Sequence, residues 1–66
     1  MKRKIPMLKR GRRVYRINRG GDSVFVTVWE NNRLVDHGLC PIRSRKDFRD
    51  FFMFRNEQYF LSEFVG

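Results

Sequence analysis

The 66-residue chain has almost none of the residues that form the disulfides of small secreted domains or bind metal ions. It contains one cysteine, Cys40, and one histidine, His37. A lone cysteine cannot form an internal disulfide, and one cysteine with one histidine does not fill a tetrahedral metal site. We therefore expect no disulfide, no bound metal and no cofactor, and a reducing, cytoplasmic location.

Long hydrophobic runs and catalytic constellations are also missing. No apolar stretch approaches the roughly 18 residues of a membrane-spanning helix, and only "IPML" separates the basic start of the chain from Lys9, which argues against a signal peptide. The "RGGD" segment precedes a strand pattern rather than a helix, so it is not a phosphate-binding loop. No nucleophile or carboxylate is spaced to partner His37, which we expect to be half-buried. We predict that the protein is not an enzyme and does not act at a membrane.

Positive charge is abundant and unevenly distributed. The chain has fifteen Lys and Arg against seven Asp and Glu, a net charge of +8. Residues 1 to 19 hold nine of the cations and no acid, whereas residues 20 to 66 are close to neutral. Eleven of the fifteen cations are arginine, whose planar guanidinium suits phosphate pairing. This distribution predicts a polyanionic partner, either DNA or RNA.

The residue pattern predicts an α+β fold in which a three-stranded antiparallel meander packs on a C-terminal α-helix. Residues 1–11, which include Pro6 and Gly11, are expected to form a basic, flexible, extended arm. Residues 12–66 are expected to form a single βββα domain. The strand candidates are "RVYRIN", "SVFVTVWE" and "RLVDHGLC", joined by turns at Gly20–Gly21 and Asn31–Asn32.

Pairing the strands across two-residue turns predicts two sheet faces. The first face is apolar and is expected to cover the core, together with His37. The opposite face carries aromatic and cationic side chains, with Phe25 beside Arg16 and Gly38, and Trp29 beside Arg12 and Leu34. Cys40 is expected to be a small buried hydrophobe. The predicted core face consists of Tyr15, Ile17, Val24, Val26, Val28, Val35 and Leu39.

The C-terminal third is rich in aromatics. Ser44 and Asp47 resemble a capping box, and Phe48, Phe51, Phe52 and Tyr59 fall in one stripe of a helical wheel. The remaining apolar residues occupy other sides of that wheel. The helix is therefore expected to be kinked or split near Asn56, or else to be apolar on most sides and to require a further cover.

The first functional hypothesis is a non-enzymatic nucleic-acid-binding protein. Cations would neutralise phosphates, while exposed aromatics would stack unpaired bases or contact the major groove of DNA. A structural alternative is that Phe25 covers Gly38 and that Trp29 packs on Leu34 and the apolar part of the arm. The predicted binding residues are Lys2, Arg3, Lys4, Lys9, Arg10, Arg12, Arg13, Arg16, Arg19, Phe25 and Trp29.

The second hypothesis is a small protein-binding modulator, an inhibitor or adaptor of the phage-encoded or ribosome-associated type. Its aromatic C-terminal segment would dock on a larger protein or on a second copy of the chain, with Phe54, Phe60 and Phe64 as the contact residues. The alternative is that this segment wraps its own core.

Overall fold

A run of β-branched and aromatic residues builds the central strands of a four-stranded antiparallel sheet. The computed structural model describes residues 5–46 and 49–65. The sheet has the order β1-β2-β3-β4, so each strand pairs with the next one along the chain. Its strands are β1 (Met7–Arg10), β2 (Arg13–Gly20), β3 (Ser23–Glu30) and β4 (Arg33–Pro41).

The first sheet confirms most of the predicted meander. Asn31 and Asn32 form the β3–β4 turn with φ of 52° and 61°, the positive φ values that favour asparagine in tight hairpins. The β2–β3 turn lies at Gly21–Asp22 rather than at Gly20–Gly21, so Ile17 faces Val26 instead of Val24. This register differs from the predicted one by two residues. Because side chains alternate with period two, the faces of β2 and β3 are unchanged.

The core lies on the inner face of this sheet. Ile17, Val24, Val26 and Val28 are buried there as predicted, and half-buried Tyr15 packs against them. Cys40 is also buried, with 5% of its surface exposed, which confirms the expectation of a small buried hydrophobe.

Strand β4 corrects the predicted core. Trp29 pairs with Leu34 and Val28 pairs with Asp36, so Val35 is the extra residue of a β-bulge. One extra residue reverses the face on which every later side chain lies. Val35 and Leu39 are therefore 47% and 71% exposed rather than part of the core, and His37 is exposed on the outer face.

A second antiparallel sheet replaces the predicted C-terminal α-helix. It consists of β5 (Arg43–Ser44), β6 (Asp50–Phe54) and β7 (Glu57–Phe60), followed by a short 3-10 helix, Leu61–Glu63. Among residues 5–46 and 49–65 there is no α-helix, so the expected α+β class and the sheet-plus-helix description are wrong.

The helix prediction failed because the sequence pattern did not reveal a hairpin turn in this segment. Arg55 and Asn56 have φ of 52° and 64°, so Asn56 occupies a tight turn instead of capping or kinking a helix. The flanking Phe and Tyr residues favour strands. Ser44, expected to cap the helix, lies in β5 and donates a hydrogen bond to Asp50 at 2.7 Å; its predicted partner Asp47, like Phe48, lies outside the described residues.

The second sheet covers the inner face of the first. Phe52, Phe54, Tyr59 and Phe64 are buried and complete the core, and Phe52 stacks on Tyr59 with ring centroids 5.5 Å apart. The chain ends are joined by paired backbone hydrogen bonds of 3.0 and 2.9 Å between Met7 and Val65. Within the described residues, no helix is long and apolar enough to cross a membrane.

The start of the chain contributes to the first sheet. Residues 7 to 10, part of the segment expected to form an extended arm, pair with β2 as β1. Leu8 packs against the core, and Ile17 donates a backbone hydrogen bond to Pro6 at 3.1 Å.

Candidate nucleic-acid interface

The side of the four-stranded sheet that faces away from the core is an open, mixed aromatic and cationic surface, which we call the outer face. The bulge at Val35 adds His37 and Leu39 to it and removes Gly38, which had been predicted to lie there. By strand register it consists of Met7, Lys9, Val14, Arg16, Asn18, Phe25, Thr27, Trp29, Leu34, His37 and Leu39.

Phe25 is the most exposed aromatic side chain of the outer face. Its exposure is 42%, and it pairs across the sheet with Asn18 and Leu39 instead of Arg16 and Gly38. The His37 ring lies beside it, with centroids 6.2 Å apart. Gly38 lies on the inner face against Phe54, so Phe25 does not cover that glycine.

Trp29 and Arg16 form a stacked pair. The Arg16 guanidinium carbon lies 5.3 Å from the Trp29 ring centroid, and the indole N–H donates to Thr27 Oγ1 at 3.0 Å. Trp29 is half-buried and lies across from Leu34 as predicted, but its other neighbour is Val14 rather than Arg12. Arg16 Nε is buried without a hydrogen-bond partner, so a donor is left unsatisfied at this position.

A shallow pocket of about 240 Å³ lies between the two aromatic side chains. Phe25 and Trp29 line it together with Ile5, and polar groups are supplied by Arg16, Asn18 and Thr27. Apolar walls with a few polar groups are typical of sites for small-molecule ligands.

Acidic side chains are segregated from the outer face. The four acids in the described strands, Glu30, Asp36, Asp50 and Glu57, occupy the same alternating positions as the core residues. Each has a polar or cationic partner on that side, as in the 3.8 Å ion pair between Arg13 and Glu30. None of the outer-face positions of β1 to β4 carries an acid.

The predicted cationic residues consequently divide into two groups. Arg10, Arg13 and Arg19 are in ion pairs with acids, at 3.2 Å to Glu63 for Arg10 and 3.8 Å to Asp50 for Arg19. Lys9, Arg12 and Arg16 take part in none of the ion pairs between described residues. Lys2, Arg3 and Lys4 lie outside the described residues.

The three predicted protein-contact residues are not equivalent. Phe54 and Phe64 are buried in the core, so their rings are not open to a partner. Phe60 is half-buried on the far side of the second sheet, next to Phe51 with ring centroids 6.3 Å apart.

Three pKa shifts describe the inner side of the molecule rather than the outer face. Two hydrogen bonds from Arg55, of 2.7 and 2.9 Å, hold the pKa of Asp36 below its ordinary value. Burial, followed by the hydrogen bond to Glu57, raises the pKa of Tyr59, and burial raises the pKa of the Cys40 thiol. No cluster of three or more His, Cys, Asp or Glu residues that could hold a metal occurs within the described ranges.

Sequence reasoning missed His37 and Leu39 as outer-face residues because a single-residue bulge leaves little trace in the sequence. Gly38 was the available signal, since a glycine inside a strand marks a bulge or a close backbone approach. Here Gly38 marks an approach by Phe54, three residues after the bulge.

Comparisons of the chain with protein-family models, curated proteins and solved structures found no match.

Proposed function

We propose that this protein is a non-enzymatic, intracellular nucleic-acid-binding protein that binds a single strand on the outer face of its four-stranded sheet. The observation that carries the proposal is the exposed Phe25 beside the Arg16–Trp29 stack on a face without acids. A base has an apolar face that stacks on an aromatic ring whatever its identity. The pocket between Phe25 and Trp29 would receive one unpaired base.

Phosphate groups would meet the cations that have no acidic partner. Lys9 and Arg16 share the outer face, and Arg12 lies in the turn between β1 and β2. Arg16 also lines the pocket between Phe25 and Trp29, so its guanidinium would lie next to the phosphate of a base bound there. Lys2, Arg3 and Lys4 would extend the phosphate contacts, because they adjoin β1 in sequence.

A binding titration with two outer-face variants tests the proposal. The probes are fluorescently labelled single-stranded oligothymidine and oligouridine, followed by anisotropy at several salt concentrations. Phe25→Ala should weaken binding by about 1 to 3 kcal/mol, because a base can no longer stack at this position. Arg16→Gln should weaken binding and reduce the slope of log affinity against log salt by about 0.7 for each phosphate that is no longer neutralised.

Met53→Ala and Arg33→Gln are the matched controls. Met53 is exposed on the second sheet, and Arg33 lies at the start of β4 beside the Asn31–Asn32 turn. Both should bind like the unmodified protein. Equal affinities for all four variants, or an affinity that does not respond to salt, would exclude the outer face as the binding surface.

A protein ligand is the alternative that one observation favours. Leu34, Val35 and Leu39 expose apolar surface at the β4 side of the sheet, which suits a protein contact better than phosphate. A capture experiment distinguishes the protein-binding alternative from nucleic-acid binding. The unmodified protein and the Leu39→Asp variant are each used to capture partners from nuclease-treated lysate. A partner that survives nuclease and is lost with Leu39→Asp supports the protein-binding alternative.

A further inference from the structure

The outer side of the second sheet carries a second aromatic and cationic cluster. Arg43, Phe51 and Phe60 lie opposite one another in a single row across β5, β6 and β7. Phe51 and Phe60 are half-buried and meet edge to face, while Arg43 is exposed. We call this set, together with Arg45 and Arg49, the β5–β7 cluster.

Two further arginines converge on one of these rings. The guanidinium carbons of Arg45 and Arg49 lie 5.9 and 5.7 Å from the Phe60 ring centroid. A backbone hydrogen bond of 3.0 Å from Arg45 to Arg49 holds the two residues close together. Both side chains are exposed at the edge of the aromatic pair.

The acids of this sheet face the other way. Asp50 and Glu57 alternate with Phe51 and Phe60 and lie on the core side, where Asp50 accepts from Ser44 and Glu57 accepts from Tyr59. The positions that β5, β6 and β7 direct away from the core, namely Arg43, Phe51, Met53, Gln58 and Phe60, carry no acid. The second sheet therefore repeats the charge segregation of the first.

We infer that the β5–β7 cluster is a second binding site for single-stranded nucleic acid, so that one chain holds two strand segments. Charge complementarity selects this ligand, because the exposed Arg43 and Arg45 beside an aromatic pair suit phosphates and stacked bases. Phe52 and Tyr59 fill the core between the two surfaces, so a short oligonucleotide cannot occupy both. The choice of ligand rests on the proposed function, whereas the site itself consists of different residues.

Isothermal titration of the full chain with hexamers of thymidine and of uridine tests the inference. The unmodified protein should bind two hexamers per chain. The variant Arg45→Gln, and separately Phe60→Leu, should bind one with unchanged affinity and the other at least about fivefold more weakly. Phe60→Leu keeps an apolar side chain, which limits its effect on folding, and thermal melts verify that each variant is folded.

Arg33→Gln removes the same charge elsewhere and should retain two sites. Phe25→Ala should lose the site on the first sheet and keep the β5–β7 site, so failure of either surface is identified separately. Binding of one hexamer per chain, with an affinity that the cluster substitutions do not change, would overturn the inference. The β5–β7 cluster would then be better explained as a contact surface for a protein. Comparing the two hexamers distinguishes DNA from RNA as the source of the strand.

Discussion

Gly38 shows how one residue sets the distance between the two sheets. A Cβ at this position would lie 2.9 Å from Cε1 of the buried Phe54 ring, closer than carbon atoms pack in a protein interior. The glycine in β4 therefore lets the second sheet approach the first at this point.

Gly38→Ala should destabilise the fold by about 1 to 3 kcal/mol, the usual cost of overpacking a core. Urea unfolding followed by Trp29 fluorescence measures the free energy. Gly20→Ala is the matched control, because nothing lies within 4 Å of its added methyl group, and it should change stability by less than about 0.5 kcal/mol. Equal effects of the two substitutions would contradict the close approach.

The Asp36–Arg55 ion pair links the bulged strand to the turn between β6 and β7. Because Arg55 lowers the pKa of Asp36, the carboxylate form is favoured in the folded state. Its stabilising contribution is present above the ordinary aspartate pKa of about 4 and is lost as pH falls through the lowered folded value.

Asp36→Asn should therefore lower the melting temperature at pH 7, and the difference from the unmodified protein should shrink as the pH falls from about 4 toward 2. Thermal melts across this range measure the effect. Asp22→Asn, at an exposed turn, serves as control. A deficit of Asp36→Asn that is constant with pH would show that the ion pair does not stabilise the fold through this carboxylate.

At the scale of elements, the β-bulge in β4 decides which residues reach the core. Val35 is the extra residue between the Leu34 and Asp36 pairings. Removing it would leave a regular ladder in which Asp36 still faces Val28 and Cys40 still points inward. Inserting one alanine between His37 and Gly38 instead would shift Gly38 and all later residues to the opposite face.

Deletion of Val35 should thus preserve the fold, whereas insertion of an alanine between His37 and Gly38 should destabilise it severely because buried Cys40 and exposed Leu39 would exchange faces. The rate at which Ellman's reagent labels Cys40 under native conditions reports the outcome. We expect slow labelling in the unmodified protein and after deletion of Val35, and fast labelling after the insertion. Fast labelling of both variants would contradict the bulge.

The elements that could be predicted from the sequence are those whose signals lie within a short stretch of residues. Strands β2 and β3 alternate clearly, and the Asn31–Asn32 turn has the expected chemistry, so the first hairpin face was predicted correctly despite a two-residue shift in register. The C-terminal hairpin was not, because Phe51 to Phe54 are apolar on both faces and hide the period of two. Arg55 is also an unusual residue for a positive φ.

The same contrast applies to the candidate site. Phe25, Trp29 and Arg16 were placed on the outer face from alternation alone. Arg43, Arg45 and Arg49 were not identified as a cluster, because their convergence on Phe60 depends on the second sheet.

At the scale of the whole molecule, the account rests on segregation of charge between the inner and outer sides of both sheets. Strand acids face inward and have partners there, while the outward positions combine cations with aromatic rings. Lys9 and Arg16 on the first sheet, and Arg43 on the second, therefore lie beside aromatic rings on sides without strand acids, where bases can also stack.

The central claim is that a nucleic-acid strand lies on the outer face, and Trp29, the sole tryptophan, reports directly on that surface. Oligothymidine should quench Trp29 emission in parallel with the anisotropy signal of binding, and added salt should reverse both signals. Binding detected by anisotropy with no change in Trp29 emission would place the strand elsewhere on the molecule and contradict the account.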